Sequence, residues 1–536
     1  MFQALNPRGQ RPAVALQPLA PRLAALAGRR IGLVHSWPSD SGFEPLLAAI
    51  AHRLPALGGG HAVTLRKPTA YSLDDPAFFA QVADGCDAFV YATAPSASTT
   101  HYGIHHAARL EARGRPGVVL VYETLQRDAR NSVAGGGAPV RWVEVPYPLH
   151  AVPEPALGAL AERVLAALVS PLQADEQATG IRPPPALPRT AVHGDYETVQ
   201  EFFHQAGWTD GLPIAPPTPD AVARMLAGTR LAPDTVVAGQ MGPEGWCATV
   251  EQVAVNAVMA GCTPACLPIV LAAVHAYGSG YRGLASAYST PARATNSFSF
   301  LQIVNGPIAR AAGMNGGLNA LGPGNRANAT VGRALRLALI NLGGSEIGSN
   351  TLPVQGNPSA YTFACAENEA ASPWPSRAQD EGFAPDASVL TLMVGGWSHV
   401  GNYIAEGLDR LAVDVAGLEY PSGIALLLSP PRARLLAAQG MDKQAVEEHV
   451  WRRAVLPAAR FRSGNYWTTL IEPNIRLDDP ARRLWPRELL DAPDDALVPV
   501  YPRSQVRAYV VGGEVSPMMQ AWKMQYPVSV SVDRWR

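Results

Sequence analysis

The sequence predicts an α/β protein: an N-terminal doubly wound parallel-sheet domain followed by a larger α/β or α+β region. Three observations lead there. Between residues 30 and 170, short β-branched or apolar runs alternate with helical stretches, the pattern of a parallel sheet covered on both faces. A proline-rich polar stretch at 171–193 interrupts that alternation and cannot hold a core of its own. Beyond it, helical runs at 249–261 and 329–342 are mixed with the strand-like runs SVLTLMVGG, GIALLLS and RAYVVGG.

Taken in order, residues 1–29 contain no acidic residue and read as a leader. Prolines and arginines break their apolar run, so they are neither a secretory segment nor a membrane span. RIGLVHS, HAVTLRKP, CDAFVYAT, PGVVLVYE and RWVEVPYP then supply strands, and EPLLAAIAHRL, DDPAFFAQVADG and IHHAARLEARG supply helices of a domain over 30–170. A linker at 171–193 and a large catalytic or substrate domain at 194–536 complete the division. A formal net charge of −1 leaves no basic field for nucleic acid. Five cysteines, an odd number, favour free thiols in a reducing compartment, so the expected location is cytoplasmic. No apolar run is long enough for a transmembrane helix, and the glycine and alanine content of the larger domain favours a homo-oligomer.

The stretch ATAPSASTTHYGIHHAARLEARG, residues 92–114, follows the third strand, in the place where α/β sheets bind ligands. Ser96, Ser98, Thr99 and Thr100 with the backbone N–H groups of a helix start can hold a carboxylate or phosphate. The same residues are also ordinary helix caps. His101 and His105 share a helical face, but no third metal ligand accompanies them.

DAFVYATAPSASTTHYGIHHAARLEARGRPGVVLVYE resembles the UGSC-type domain, in which a strand leads into Cys or selenocysteine, Gly, Ser, Cys and then a helix bearing a histidine. More distantly it is similar to the selenoprotein B component of glycine, sarcosine and betaine reductases. The resemblance puts Ser96 and Thr99 at the two chalcogen positions and His105 at the family histidine, with VPYPL at 145–149 as the family's ending. A helix dipole lowers a thiol's pKa far enough to ionise it, which it cannot do for a serine hydroxyl, so redox chemistry through a soft nucleophile is excluded at Ser96.

From 194 onward the chain resembles an uncharacterised family that accompanies the UGSC-type domain. The phrases that carry this are GWTDGLPIAPPT, TVEQVAVNAVMAGC, GPGNRANATVGRALRLALINLGG, CAENEAASPW and VVGGE. Thr249 and Gln252 form a T-x-x-Q capping box, which places Glu251 in a first helical turn. Cys262 lies just past that helix and is the candidate thiol. Asn328 and Arg333, with Arg336 a turn further on, sit on a helix capped by Thr330 and offer an anion grip. Asp210 lies in a tight Asp-Gly turn and can orient a donor. Glu367 and Glu369, two apart, form a candidate acid and base pair.

The functional expectation is an enzyme that acts on a small anionic metabolite at an interdomain site, making or breaking a carbon–heteroatom bond, lyase- or hydratase-like or reductase-like. Its catalytic candidates are Glu251, Cys262, Glu367 and Glu369. Its binding candidates are Ser96, Ser98, Thr99, Thr100, His105, Asp210, Asn328 and Arg333. The alternative is a noncatalytic binding subunit or scaffold that has lost its nucleophile. No nucleotide, flavin or haem motif is visible, and cofactor and metal are left open.

Overall fold

The computed structural model describes residues 1–38, 41–280, 291–403, 407–418, 423–464, 466–481 and 483–536. Strands β1 (Phe2–Leu5) and β2 (Val14–Leu16) precede a parallel sheet of β3 (Arg30–His35), β4 (His61–Arg66), β5 (Ala88–Ala92), β6 (Gly117–Tyr122) and β7 (Trp142–Val145) in the order β4-β3-β5-β6-β7. Every residue of β5 and β6 is buried, as expected of central strands covered on both faces, whereas the edge strand β4 keeps three exposed residues. Helices α1 (Glu44–Arg53) and α5 (Glu154–Val169) pack together. Helices α2 (Pro76–Gly85), α3 (Ala97–Glu111) and α4 (Gln126–Gly136) form a second group of neighbours. Ile31, Val34, Phe89 and Val119 meet Leu46, Phe79, Ile104 and Leu110 in one core. Gly117 lies so close beneath the Phe89 ring that a Cβ would stand 2.0 Å from it.

The expected leader and linker are both built into the fold. Next come β8 (Gly180–Arg182) and β9 (Thr190–Gly194), which pair antiparallel with β2 and β1. The opening residues then run along the larger half: Gly9 N–H donates to the Asn341 carbonyl at 2.9 Å, and the Gln252 and Asn256 amides donate to the carbonyls of Arg8 and Pro7. Composition set these segments apart because they lack a core of their own. Their backbone groups are satisfied by elements far away in sequence.

The larger half holds the hairpin β10 (Val236–Met241) and β11 (Trp246–Thr249), then β12 (Ser299–Asn305), β13 (Ala364–Ala366), β14 (Val389–Tyr403), β15 (Ile424–Leu428), β16 (Val455–Pro457), β17 (Leu497–Pro499), β18 (Val506–Val510) and β19 (Met519–Ser531). Six of these form a mixed sheet in the order β13-β12-β14-β19-β15-β18. Helices Val250–Ala260, Leu267–His275 and Arg326–Asn341 share a core with residues of β12, β14 and β19. The capping box is present: Gln252 N–H donates to Thr249 Oγ1 at 3.5 Å and Thr249 N–H to Gln252 Oε1 at 2.9 Å. Thr330 does not cap its helix, which starts earlier with Asn325 as its N-cap, and the Thr330 hydroxyl donates back to the Ala327 carbonyl. Among the described residues no helix is long and apolar enough to cross a membrane.

Candidate functional site

The strand order makes the first connection run one way from β3 and the next run the other, so the topological switch point lies between β3 and β5. Trp37 follows β3, Tyr71 follows β4, and the serine turn follows β5, all beyond the carboxyl ends of the strands. The Trp37 and Tyr71 rings meet edge-on at 5.4 Å, and Tyr71 and Tyr102 at 6.0 Å. Ser96 Oγ and Ser98 Oγ lie 3.0 Å apart, and Ser98 Oγ donates to the Tyr71 hydroxyl at 3.3 Å. Ser96 is the N-cap of α3, yet its side chain makes no capping bond, and the first turn holds no acidic residue. The first N–H groups of that helix therefore combine with two serine hydroxyls at the positive end of a dipole.

Ser96 is half-buried and Ser98 is buried, and the hydroxyls of Thr99 and Thr100 differ from theirs in bonding back to the turn's own carbonyls. Both threonines are buried. Thr99 Oγ1 donates to the carbonyls of Ala94 and Ser96 at 2.9 and 2.8 Å, and Thr100 Oγ1 donates to that of Ser96 at 3.1 Å. Their hydroxyls fix the turn instead of facing a ligand. Of the histidines, His106 is buried against the Tyr91 hydroxyl at 2.9 Å, and His105 is exposed on the surface of α3. His101 accepts from or donates to Ser132 Oγ through Nδ1 at 3.0 Å. Burial holds the His101 imidazole well below its ordinary pKa, and the positive Arg293 adds to this.

Arg293 joins the two halves. Its guanidinium, almost completely buried, donates to Asp128 and Ser132 of α4 and to Glu244 after β10. Burial pushes the Asp128 carboxyl up to about 7 against the pull of Arg293, and Glu244 adds to the rise. The Tyr277 phenol is held above its ordinary pKa first by burial, then by Tyr102, while Arg293 and Arg336 oppose this. The Tyr526 phenol, raised to about 12 by burial, feels Tyr71. Tyr71 and Tyr102 of the smaller half therefore stand close to Tyr526 and Tyr277 of the larger.

The remaining candidates do not converge on this place. Glu251 forms a surface ion pair with Arg189 at 2.5 Å. Arg333 forms a two-pronged pair with Asp210 at 2.8 Å on each arm. The Asn328 amide donates to the carbonyls of Asn315 and Ala320 and accepts the Asn315 N–H. Glu367 accepts from the Asn305 amide, from Arg377 N–H and from Val510 N–H, with Lys443 Nζ at 3.3 Å, while Glu369 accepts from Asn305 and Gly306 N–H. Carboxylates bonded that fully act as structural anchors. Cys262 is buried beside Cys266, whose hydrogen bond raises the Cys262 pKa well above the ordinary thiol value and lowers that of Cys266. Arg293, Tyr71, Trp37 and Tyr102 were missed, since no local pattern marks a lone arginine among small residues or aromatics that meet only in three dimensions. Among the described residues no group of three or more His, Cys, Asp or Glu side chains is arranged to hold a metal ion.

The turn after the third parallel strand lies within the segment that the family comparison covers. Residues 3–174 match the model of the UGSC family. That segment is a UGSC-type domain. No curated protein and no solved structure matches the chain. The UGSC-type domain thus includes the opening arm and ends within the stretch read as a linker.

Proposed function

We propose that the chain binds a small anionic metabolite at the switch point of its UGSC-type domain and acts on it by proton transfer, in the manner of a lyase or hydratase, with His101 moving the proton. The observation that carries this reading is the uncapped first turn of α3, joined to the chain of hydroxyls Ser96, Ser98 and Tyr71. His101 lies one turn into the same helix, and Ser132, itself bonded by Arg293, fixes its Nδ1, so Nε2 is the position left for a proton. Arg336, which forms no ion pair among the described residues, is the cation that replaces Arg333 as a partner for negative charge.

A second reading is a noncatalytic binding subunit. It is favoured by the separation of Cys262, Glu367, Glu369 and Arg333, each bound to its own structural partners. One experiment addresses both. Acetate, glycolate, malonate and inorganic phosphate are titrated against the full chain by calorimetry, and proton NMR follows turnover of each binder and of its hydroxy and amino derivatives. The Ser96 hydroxyl makes no helix-capping bond, so Ser96→Ala leaves the helix intact and is expected to weaken anion binding about tenfold, the loss of one hydrogen bond to a charged group. His101→Gln is expected to retain binding and lose turnover. Turnover undiminished in His101→Gln refutes the catalytic role, and no binding by any of the anions refutes both readings.

A further inference from the structure

A cavity of about 420 Å³ opens at the carboxyl ends of β15 and β18, and no described residue of the UGSC-type domain lines it. The geometry points to a second small-molecule site there, one that takes a neutral, largely apolar, flat organic molecule of the size of one or two fused rings.

Parallel strands that end side by side leave a crevice beyond their carboxyl ends, and β15 and β18 are such a pair at the edge of the mixed sheet. Two glycine phrases far apart in sequence meet at this crevice: Gly322 of the GPGNR loop and Gly512–Gly513 of VVGGE. Gly512 has φ +124°, where a side chain is strained, and its N–H donates to the Gly316 carbonyl at 2.9 Å. At Gly513 a Cβ would stand 2.9 Å from Leu318, so the two loops lie directly against each other. Leu427, Val511 and Trp522 belong to the apolar cluster on this face of the sheet and also line the cavity, while Leu318 and Val515 at its margin are strongly exposed.

Charge decides the class of occupant. Among the described residues no charged side chain lines the cavity. The helix that starts there, Pro430–Ala438, opens with two prolines and so lacks the N–H groups of its first two positions. Its N-cap hydroxyl, Ser429 Oγ, donates to the Ser516 carbonyl and accepts the Met518 N–H. Glu514 at the mouth pairs with Arg434. The polar groups within reach, Asn319, Ser516 and Gln520, are neutral. The volume lies within the range of small-molecule pockets, roughly 300–1,000 Å³.

The test uses the full chain with two probes of one shape and different charge, 2-naphthol and 2-naphthoate, titrated by saturation-transfer NMR. One saturable site is expected for 2-naphthol, with at least tenfold weaker binding of 2-naphthoate. Met518→Trp narrows the cavity and is expected to weaken 2-naphthol binding at least fivefold. Val515→Glu, at an exposed position whose substitution leaves the fold intact, is expected to weaken it at least fivefold. Equal binding of both probes, no saturable binding, or full affinity in Val515→Glu overturns the proposal. Concentration-dependent self-association that Val515→Glu abolishes also overturns it, because the face would then be covered by a second copy.

Discussion

Ser96 and Thr99 stand three residues apart, yet one side chain is open and the other is enclosed by the carbonyls of Ala94 and Ser96. This difference gives a direct probe of the site. In a Cys247→Ser background, which removes the least buried of the five native thiols, Ser96→Cys places a thiol at the start of α3, where the dipole lowers its pKa. Thr99→Cys places one where almost no surface is exposed. Iodoacetamide is expected to alkylate the first at least tenfold faster than the second at pH 7, followed by mass spectrometry. Equal rates would show that the turn carries no electropositive opening. Residue types and local position made the helix start at Ser96 legible in the sequence, because a helix start after a parallel strand is visible in a pattern. The state of Thr99, Asn328, Glu367 and Arg333 was not legible, since each is decided by partners that only the fold brings near.

At the scale of elements, alternation and helical period identify the strands and helices of the parallel sheet, where each apolar run is decided by its own neighbours. The opening arm shows the limit of that reasoning. β1 finds its partner β9 across most of the smaller half, and Gly9 passes between the Cys247 and Leu342 carbonyls. A Cβ at Gly9 would stand 3.0 Å from both oxygens, which are backbone atoms and cannot turn aside. Gly9→Ala is therefore expected to destabilise the chain by about 1–3 kcal/mol in urea unfolding, with an unchanged dependence on denaturant. Gly239→Ala in β10, with nothing within 4 Å of its Cβ position, is the control and is expected to stay within about 0.5 kcal/mol of the parent. If the two variants behave alike, the arm is not docked as described. The strand order of the mixed sheet was likewise hidden, because the last strand, β19, inserts between β14 and β15 and nothing local foretells that pairing.

For the whole molecule, the junction between the halves includes a buried cation, Arg293, held by Asp128 and Glu244. Arg293→Leu leaves both carboxylates without a counter-ion and is expected to cost about 3–5 kcal/mol, read as a fall in the urea midpoint. The same junction shapes the pH dependence. His101 and His106 are held well below their ordinary pKa by burial, so the unfolded chain binds more protons than the folded one just below pH 6.5. Their contribution is complete above pH 6.5 and is lost as the pH falls. Asp128 works in the opposite sense: its folded pKa, about 7, lies above the ordinary 3.8, so the stability it contributes is present below pH 3.8 and fades as the pH rises through 7. Between pH 4 and 6.5 the two effects therefore oppose each other. Asp128→Asn removes the opposing group while keeping a neutral polar side chain beside Arg293. Its stability is expected to rise with pH more steeply than that of the parent over this window, by up to about 1.4 kcal/mol per pH unit for the one proton removed. Urea midpoints at pH 4.5, 5.5, 6.5 and 7.5 measure the slope, and identical slopes in the two proteins would mean that Asp128 is ionised throughout and that Arg293 outweighs its burial.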